Sequence, residues 1–381
     1  MIYLDNAATS YPKPASVINA VKNSLVCYGA NPGRSGHDFS VKTANIVYEA
    51  RKALNDFFNG DGAELVSFTQ NCTQALNTAV KGFLKKGDHV VISSLEHNSV
   101  VRPLETLKVR GIIDYSVFDV TLNKETTLCN FINAFMPETR LCVVTAVSNV
   151  FGDILPLAQL SEIAHSKGAK LFVDGAQGAG IIPVDMKKQG IDCLCIPGHK
   201  GLSGPMGIGA ILHKNIDFEP LVYGGTGSES FNLLQPRDYP ERLEGGTINV
   251  PGVCGLLQGL RFIEAKGINS ILKSETEICD EIIYGLKRIE GVEIYRPKGD
   301  IKYAPLVSFN VNALHSETVS ALLNKGGVAV RGGYHCAPLA HISRGTKSTG
   351  TVRISPSAST CKKDINILLN LVRKIAIKEF I

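Results

Sequence analysis

Three short segments of this 381-residue chain combine residue types that can perform chemistry. Lys200 lies in the glycine-rich stretch GHKGLSGPMGIG, and a lysine there could form a Schiff base with a carbonyl compound. Asp174 ends the apolar run KLFVD, where a buried carboxylate needs a partner such as a protonated ring nitrogen. Cys72 and Thr73 begin a helical pattern, and the free amides at a helix N-terminus suit a phosphate.

Each segment also has a simpler interpretation. The lysine could be solvated, the aspartate could cap a turn or pair with a cation, and the helix start could be a plain cap. The combination is more specific, because Asp174 precedes Gln177 by three residues and the His199–Lys200 pair by 25. A pyridine ring that carries a phosphate, as in pyridoxal 5'-phosphate, would use all three segments at once.

The surrounding elements must bring these segments together. Seven short apolar runs predict strands: Leu65–Thr69, His89–Ser94, Ile113–Phe118, Arg140–Ser148, Lys170–Asp174, Asp192–Pro197 and Gly207–Leu212. Helical patterns alternate with them: Thr73–Leu84, Val100–Val109, Thr127–Phe135 and Leu157–Lys167. This alternation predicts an α/β fold with a mostly parallel sheet, and such sheets bind ligands beyond the carboxyl ends of their strands.

The last third of the chain predicts a smaller α+β domain. Its patterns are helices at Pro251–Lys266, Ile268–Ile289 and Glu317–Asn324, strands at Val292–Tyr295, Leu306–Val311 and Val328–Arg331, and a terminal helix from about Lys363. We expect residues 16–255 to form the large domain and residues 256–381, with the N-terminal segment 1–15, to form the small one. Two early helices, Val17–Val26 and Val41–Phe58, are expected to tie the N-terminus to the small domain.

Composition narrows the class of protein but names no function. The chain is 44% hydrophobic and 20% charged with a net charge of +5, which excludes disorder and favours neither nucleic acid nor a membrane surface as a partner. No secretory leader or membrane span is apparent, so we expect a cytoplasmic protein with reduced cysteines. The ten cysteines show no CxxC pair, and no metal site is predicted. Cys193 and Cys195 are expected to pack in the core.

The sequence resembles the class V aminotransferase group of fold-type I pyridoxal-phosphate enzymes. The resemblance covers nearly the whole chain through the motifs LDNAAT, LEHNS, VSNVFG, VDGAQ, GHK, RLEGGTIN, VRGGYHCAPL and GTVRIS. The last two motifs are similar to those of the cysteine desulfurase and selenocysteine lyase branch. The 16 residues between Cys336 and Arg353 resemble the second group of that branch, which passes sulfur to a partner protein. The resemblance to this family implies the fold-type I architecture, with a seven-stranded sheet and a small C-terminal domain that carries the catalytic cysteine.

The resemblance also implies residue roles. Lys200 would hold the cofactor covalently, Asp174 would pair with its ring nitrogen, and His97 would stack on the ring. Gln177 and Asn149 would lie near the phenolic oxygen and the substrate. The phosphate would be held by Cys72, Thr73 and the His199 side chain, together with Thr247 from a second subunit of a homodimer. Arg353 would bind the substrate carboxylate in a pocket lined by Ala7 and Ala8, and Cys336 would accept sulfur as a persulfide.

Three positions depart from the family pattern. Pro197 replaces a serine that donates to phosphate, Cys72 replaces a threonine, and Tyr334 replaces a histidine found in many relatives.

The reaction that the resemblance implies converts L-cysteine to L-alanine. Selenocysteine lyase, aminotransferase or epimerase chemistry on the same cofactor and a non-catalytic cofactor-binding scaffold remain alternatives.

Overall fold

A seven-stranded sheet lies at the centre of the structure, a computed structural model that describes residues 1–33, 36–312 and 314–379. In chain order the strands are β1 (Ile2–Tyr3), β2 (Val66–Thr69), β3 (His89–Ser93), β4 (Asp114–Phe118), β5 (Thr139–Thr145), β6 (Lys170–Asp174), β7 (Cys193–Pro197), β8 (Gly209–His213), β9 (Val292–Ile294), β10 (Val307–Val311), β11 (Val328–Ala329) and β12 (Val352–Ile354). The large sheet has the order β2-β8-β7-β6-β5-β3-β4, and only the pairs made by β8 are antiparallel.

Helices cover both faces of this sheet. In chain order they are α1 (Ala15–Cys27), α2 (Asp38–Phe58), α3 (Cys72–Phe83), α4 (Asn98–Val109), α5 (Lys124–Asn133), α6 (Leu157–Ser166), α7 (Val250–Lys266), α8 (Ile268–Leu286), α9 (Ser316–Lys325), α10 (Pro338–Ser343) and α11 (Lys362–Ala376). The central strands are mostly apolar, with polar residues near their ends, because both faces of the sheet are buried. An apolar cluster lies on each face of the sheet, and Cys193 and Cys195 are fully buried in one of these two, as predicted.

The seven predicted strands of the large sheet are confirmed, with ends that differ by no more than three residues. Their parallel arrangement places the carboxyl ends of β2, β3, β5, β6 and β7 at one edge. The fold class predicted from the sequence is therefore confirmed. No helix within the described ranges is long and apolar enough to cross a membrane.

A separate apolar cluster belongs to the C-terminal part of the chain. It includes residues of α8, β10, α9, β12 and α11, and it also includes Leu4. The N-terminus joins this part through β1, which pairs in parallel with β11. Both early helices pack against α7, and α2 also packs beneath the large sheet, so their expected role in tying the N-terminus to the small domain stays a prediction. The domain boundary at 255/256 falls within α7 and stays a prediction.

Candidate active site

Asp174 lies at the carboxyl end of β6, in the middle of the sheet edge where the parallel strands end. It is paired in register with Thr145 of β5 and Cys195 of β7. Only 2% of the residue is exposed, and its Oδ1 accepts a hydrogen bond from the Ala176 amide at 2.9 Å. A buried carboxylate in this position needs a positively charged or hydrogen-bonding ligand group.

Lys200 follows β7 and lies in the electrostatic field of the same carboxylate. Burial lowers the pKa of the Lys200 amine, and the negative charge of Asp174 acts in the opposite direction. The positive charges of Arg353 and Arg331 lower this pKa further, so residues from distant parts of the chain act on one amine. A lysine with a lowered pKa has a larger neutral fraction, which is the form that attacks a carbonyl carbon.

His97 caps α4 and faces the same charges. Its Nδ1 accepts a hydrogen bond from the Ser99 amide at 3.0 Å. Burial lowers the pKa of the imidazole, Asp174 raises it and Lys200 lowers it, so the ring is mainly neutral at pH 7. A neutral, half-buried ring beside a lysine and an aspartate is suited to stacking on a flat ligand.

The start of α3 offers an anion site. The Oδ1 of Asn71 accepts from the Gln74 amide at 2.9 Å, and the amides of Cys72 and Thr73 in the first turn have no acceptor within the helix. The buried Nδ1 of His199 has no hydrogen-bond partner among the described residues. Burial lowers the pKa of His199 to about 4, so the ring is neutral and can donate one hydrogen bond. These donors fit a phosphate group.

Pro197 ends β7 without a hydroxyl group or an amide hydrogen, so it cannot supply the phosphate contact of the usual serine. It is paired with Gly209 of β8. A Cβ at Gly209 would lie 2.9 Å from the carbonyl carbon of Asn71 and 2.7 Å from the Ile196 oxygen. The glycine therefore lets β8 approach the start of α3 closely, which fixes the loop that carries the anion site.

The segment 4–9 connects the sheet edge with the C-terminal part of the chain. The side chain of Gln177 donates to the Ala7 carbonyl at 2.9 Å, and the Ala7 amide donates to the Ser355 hydroxyl at 2.8 Å. Ala8 is half-buried, and its amide donates to the Asp5 carbonyl at 3.1 Å. Ala7 and Ala8 thus lie between Gln177 and the end of β12.

Arg353 on β12 is 1% exposed and is held by two groups from elsewhere in the chain. Its Nη2 donates to Asp5 Oδ1 at 2.9 Å, and its Nη1 donates to the Asn149 carbonyl at 2.8 Å. The buried Nε has no partner within the described residues. The guanidinium is therefore fixed in place while its Nε has no partner among the described residues, which is consistent with a site for a carboxylate.

Cys336 is exposed on a turn that two hydrogen bonds attach to the sheet edge. His335 and Cys336 both have left-handed backbone conformations, with φ of 49° and 58°, which L-residues other than glycine rarely adopt. The Asn149 side chain donates to the His335 carbonyl at 2.6 Å, and the Asn98 amide donates to the Cys336 carbonyl at 2.7 Å. The cysteine is thereby held next to His97 and Asn149.

His335 does not supply a charge to this turn. Its Nε2 bonds the Thr351 carbonyl at 3.0 Å, and burial and then the charge of Arg353 lower its pKa well below the ordinary value. Its ring stacks on His341 with centroids 6.0 Å apart. Within the described ranges no group of three or more His, Cys, Asp or Glu residues could hold a metal ion.

Thr247, which the resemblance singled out, lies apart from this cluster, and so does a further histidine, His37. Thr247 is exposed in the irregular segment before α7, and its side chain has no hydrogen bond to the anion site among the described residues. His37 caps α2, where its Nδ1 accepts from the Ser40 amide at 3.2 Å. The other predicted site residues belong to the sheet edge, to segment 4–9 or to residues 335–353.

Sequence reasoning missed several groups at this site. Asp5 is the ion-pair partner of Arg353, and Lys13 donates to the His199 carbonyl at 2.7 Å. Glu96 is fully buried behind His97, and its Oε1 accepts from the Thr145 amide at 2.8 Å. Asp5 and Glu96 had a sequence signal, since they belong to the LDNAAT and LEHNS motifs. A cavity of about 350 Å³ runs from Lys200 and Gln177 to a buried glutamate, Glu275, on α8.

Comparison with known proteins identifies the family. The sequence profile of class-V aminotransferases matches residues 2–368. The chain belongs to this family. Its members depend on pyridoxal 5'-phosphate, and the buried Asp174, the Lys200 amine and the unpartnered donors at α3 and His199 fit the ring, the aldehyde and the phosphate of that cofactor.

Individual relatives are cysteine desulfurases. The chain is 34% identical to a protein named probable cysteine desulfurase from Pyrococcus abyssi and 33% identical to one from Methanothermobacter thermautotrophicus, with 98% of this chain and 94% of each relative covered. The apo structure of a cysteine desulfurase from Thermococcus onnurineus NA1 superposes with a TM-score of 0.92 at 32% identity, covering 99% of this chain and 95% of that one. The S-sulfonic acid form of the Escherichia coli cysteine desulfurase CsdA gives 0.88 at 26% identity, covering 100% and 95%.

Proposed function

We propose that this protein is a pyridoxal-phosphate-dependent cysteine desulfurase, which converts L-cysteine to L-alanine and takes the sulfur onto Cys336. The observation that carries this proposal is the attachment of the exposed Cys336 turn to Asn98 and Asn149 beside the Asp174–Lys200 pair. Transamination or epimerisation has no use for a nucleophilic sulfur at that position. The relatives named above support the same reaction.

Lys200 and Asp174 would bind the cofactor and move a proton. The cofactor, when bound, supplies an electron sink for the bond-breaking steps. Asp174 would keep the ring nitrogen protonated, since its carboxylate is buried and opposes a positive charge well. The neutral fraction of the Lys200 amine would take the Cα proton from the substrate, because burial lowers its pKa. His97 would stack on the ring, and Gln177 and Asn149 would contact its phenolic side.

Arg353 would hold the substrate carboxylate beside Ala7 and Ala8. Its Nε is buried without a partner, and its other two nitrogens are fixed by Asp5 and the Asn149 carbonyl. Because the guanidinium is already ordered, little conformational entropy is lost when a carboxylate binds.

Cys336 would then attack the substrate sulfur as a thiolate. An S–S bond forms between the two sulfur atoms and the substrate Cβ–S bond breaks. The carbon skeleton takes up protons and leaves as alanine, so one cysteine and one thiol give one alanine and one persulfide without any oxidant. Because Cys336 is exposed, the persulfide would be accessible to a sulfur-accepting protein.

We further propose that the active protein is a homodimer that shares this site. Large apolar side chains are exposed in the segment 221–234, where Phe231 and Leu233 are completely accessible in the single chain. Thr247 follows in the same region and is also exposed. A second copy would cover these side chains and bring Thr247 to the partner's phosphate site.

All ten cysteines lie among the described residues and none is in a disulfide, which supports a reducing, cytoplasmic location.

The test is alanine formation from L-cysteine by the purified, cofactor-loaded protein with a thiol reductant. We expect wild type and Cys129→Ala, which removes an exposed cysteine on α5, to form alanine at equal rates. Cys336→Ala should form almost none. Equal rates for Cys336→Ala and wild type would overturn the proposal, and keto-acid formation without sulfide would indicate an aminotransferase. A parallel assay with L-selenocysteine decides between the two chalcogen substrates.

A further inference from the structure

The Cys72 thiol lies against the carboxylate that faces the cofactor ring. Its Sγ is 3.5 Å from Asp174 Oδ1 and 3.4 Å from the Cys195 carbonyl oxygen. Cys72 is 8% exposed and Asp174 is 2% exposed, so the contact is shielded from water. This contact comes from one of the positions at which the chain departs from the family pattern.

The thiol can act only as a donor in this contact. Burial holds the pKa of Cys72 well above its ordinary range, and the negative charge of Asp174 raises it further. The sulfur therefore keeps its proton at neutral pH and is not a nucleophile. The Cys195 carbonyl already accepts from the Gly175 amide at 2.8 Å, which leaves the charged carboxylate as the stronger acceptor for the thiol.

The two oxygens of Asp174 are used differently. Oδ1 accepts from the Ala176 amide at 2.9 Å and from the Cys72 thiol. Oδ2 takes part in no hydrogen bond among the described residues. It is also not among the fully enclosed polar atoms, so a ligand can reach it. Two donors on one oxygen fix the rotation of the carboxylate about its Cβ–Cγ bond and leave the other oxygen available.

We propose that Cys72 is a positioning residue for Asp174, which it holds by hydrogen bonding Oδ1 so that Oδ2 is presented to the ring nitrogen of the cofactor. Its side chain acts through Asp174 and not on the substrate. This role is distinct from that of the Cys72 backbone amide at the anion site. The inference rests on the cofactor and not on the substrate, so a failed desulfurase assay would leave its test unaffected.

Two isosteric variants separate donation from shape. Cys72→Thr keeps a hydroxyl donor, whereas Cys72→Val has the same shape and no donor. Both keep the backbone amide and have a β-branched residue at the start of α3. We expect Cys72→Val to bind pyridoxal 5'-phosphate about fivefold more weakly than Cys72→Thr, which corresponds to one hydrogen bond of typical net strength. The pH midpoint of the bound cofactor's visible absorbance should shift in the valine variant only.

The control is a cofactor analogue with carbon in place of the ring nitrogen, 1-deazapyridoxal 5'-phosphate. The two variants should bind this analogue equally, because it has no ring N–H that could donate a hydrogen bond to Asp174. Equal affinities of the two variants for the natural cofactor would overturn the proposal. A fivefold difference in affinity that persists with the analogue would also overturn the proposal. The substitution would then act on the start of α3 or on phosphate binding and not on the ring nitrogen. Cys72→Ala provides a second donor-free variant if valine prevents folding.

Discussion

The candidate site consists of two groups that are built in different ways. The strand-end group is Cys72, His97, Asp174 and Lys200, and the C-terminal group is Arg331, His335, Cys336 and Arg353. The first group stands on loops that follow parallel strands of one sheet. The second stands on short strands and a left-handed turn that are held in place by Asp5, Asn98 and Asn149. The sheet orders the first group, whereas the second depends on contacts with distant segments.

This difference corresponds to a division of chemical work. Groups that must keep a fixed relation to a cofactor ring belong to the rigid sheet edge. The groups that would meet the substrate and export sulfur in the proposed function belong to segments that are attached to the sheet edge by individual hydrogen bonds. Variants in the two groups should therefore fail in different ways: loss of cofactor handling in the first, and loss of substrate binding or sulfur transfer in the second.

The largest effect is expected from Lys200→Ala. Alanine formation should fall by at least about 10⁴-fold, because both the covalent attachment and the proton transfer depend on this amine. The shift of the cofactor's visible absorbance on binding should disappear too, whereas Cys336→Ala should retain it. Lys170→Ala, which removes an amine paired with Asp192 at the other end of β6, is the matched control. Turnover by Lys200→Ala within a hundredfold of wild type would contradict the assignment of cofactor handling to the strand-end group.

Arg353→Lys should raise the KM for L-cysteine about 100-fold while the cofactor's absorbance stays unchanged. A lysine has one nitrogen where the guanidinium has three, so it cannot reach Asp5, the Asn149 carbonyl and a substrate carboxylate together, and each such bond contributes about 1.5–3 kcal/mol. Steady-state kinetics measure the change. Arg373→Lys on the exposed part of α11 should leave the KM as it is. An unchanged KM in Arg353→Lys would place carboxylate binding elsewhere.

Glu96→Gln tests the buried support of the strand-end group. Burial raises the pKa of Glu96 from 4.5 to about 8, so the folded protein keeps the proton in a range where an unfolded glutamate loses it. The stabilisation from this group is complete below pH 4.5 and is lost as the pH rises through 8. Between pH 6 and 8 the wild-type free energy of unfolding should fall by about 2 kcal/mol relative to the variant.

Urea unfolding of the cofactor-loaded proteins measures this difference. The exposed Glu290 provides the control, because Glu290→Gln should follow wild type at every pH. A difference between Glu96→Gln and wild type that does not change with pH would show that this carboxyl is ionised in the folded protein.

The smallest effect is expected from Ser355→Ala, which removes the hydroxyl that accepts from the Ala7 amide. Segment 4–9 would lose one of its attachments to β12, and the KM for L-cysteine should rise about fivefold with kcat retained. Ser359→Ala, a few residues further along the chain, is the control. A fall in kcat with an unchanged KM would instead connect this hydroxyl with the strand-end group.

The sequence predicts the strand-end group better than the C-terminal group for a physical reason. Strand runs such as KLFVD are recognisable by their apolar residues, and parallel strands bring their ends together without further information. Asp174, Lys200 and the start of α3 were therefore placed together from spacing alone. The very short β1 and β12 have no comparable pattern, and they were not predicted.

The contacts of the C-terminal group could not be derived from local patterns. The resemblance to a family named Cys336 and Arg353, but Asp5 as the partner of Arg353 depends on a contact across 348 residues. The Asn98 bond to the Cys336 turn likewise joins a helix start to a loop far along the chain. The Cys72–Asp174 contact was not foreseen, because the thiol was weighed only as a departure from the family pattern.

The pairing of residues 2–7 with β11, β12 and Ser355 also has a consequence for biosynthesis. These residues are translated well before their binding partners, and Ala7 and Ser355 are 348 positions apart in the chain. At about 5–20 residues per second, a ribosome needs roughly 20–70 s to cover the distance between them. Throughout that time segment 4–9 lacks the partners that hold it in the folded protein. The sheet edge can form during that time, whereas segment 4–9 is ordered only once residues 328–355 have been made, so the order of folding differs from the order of synthesis.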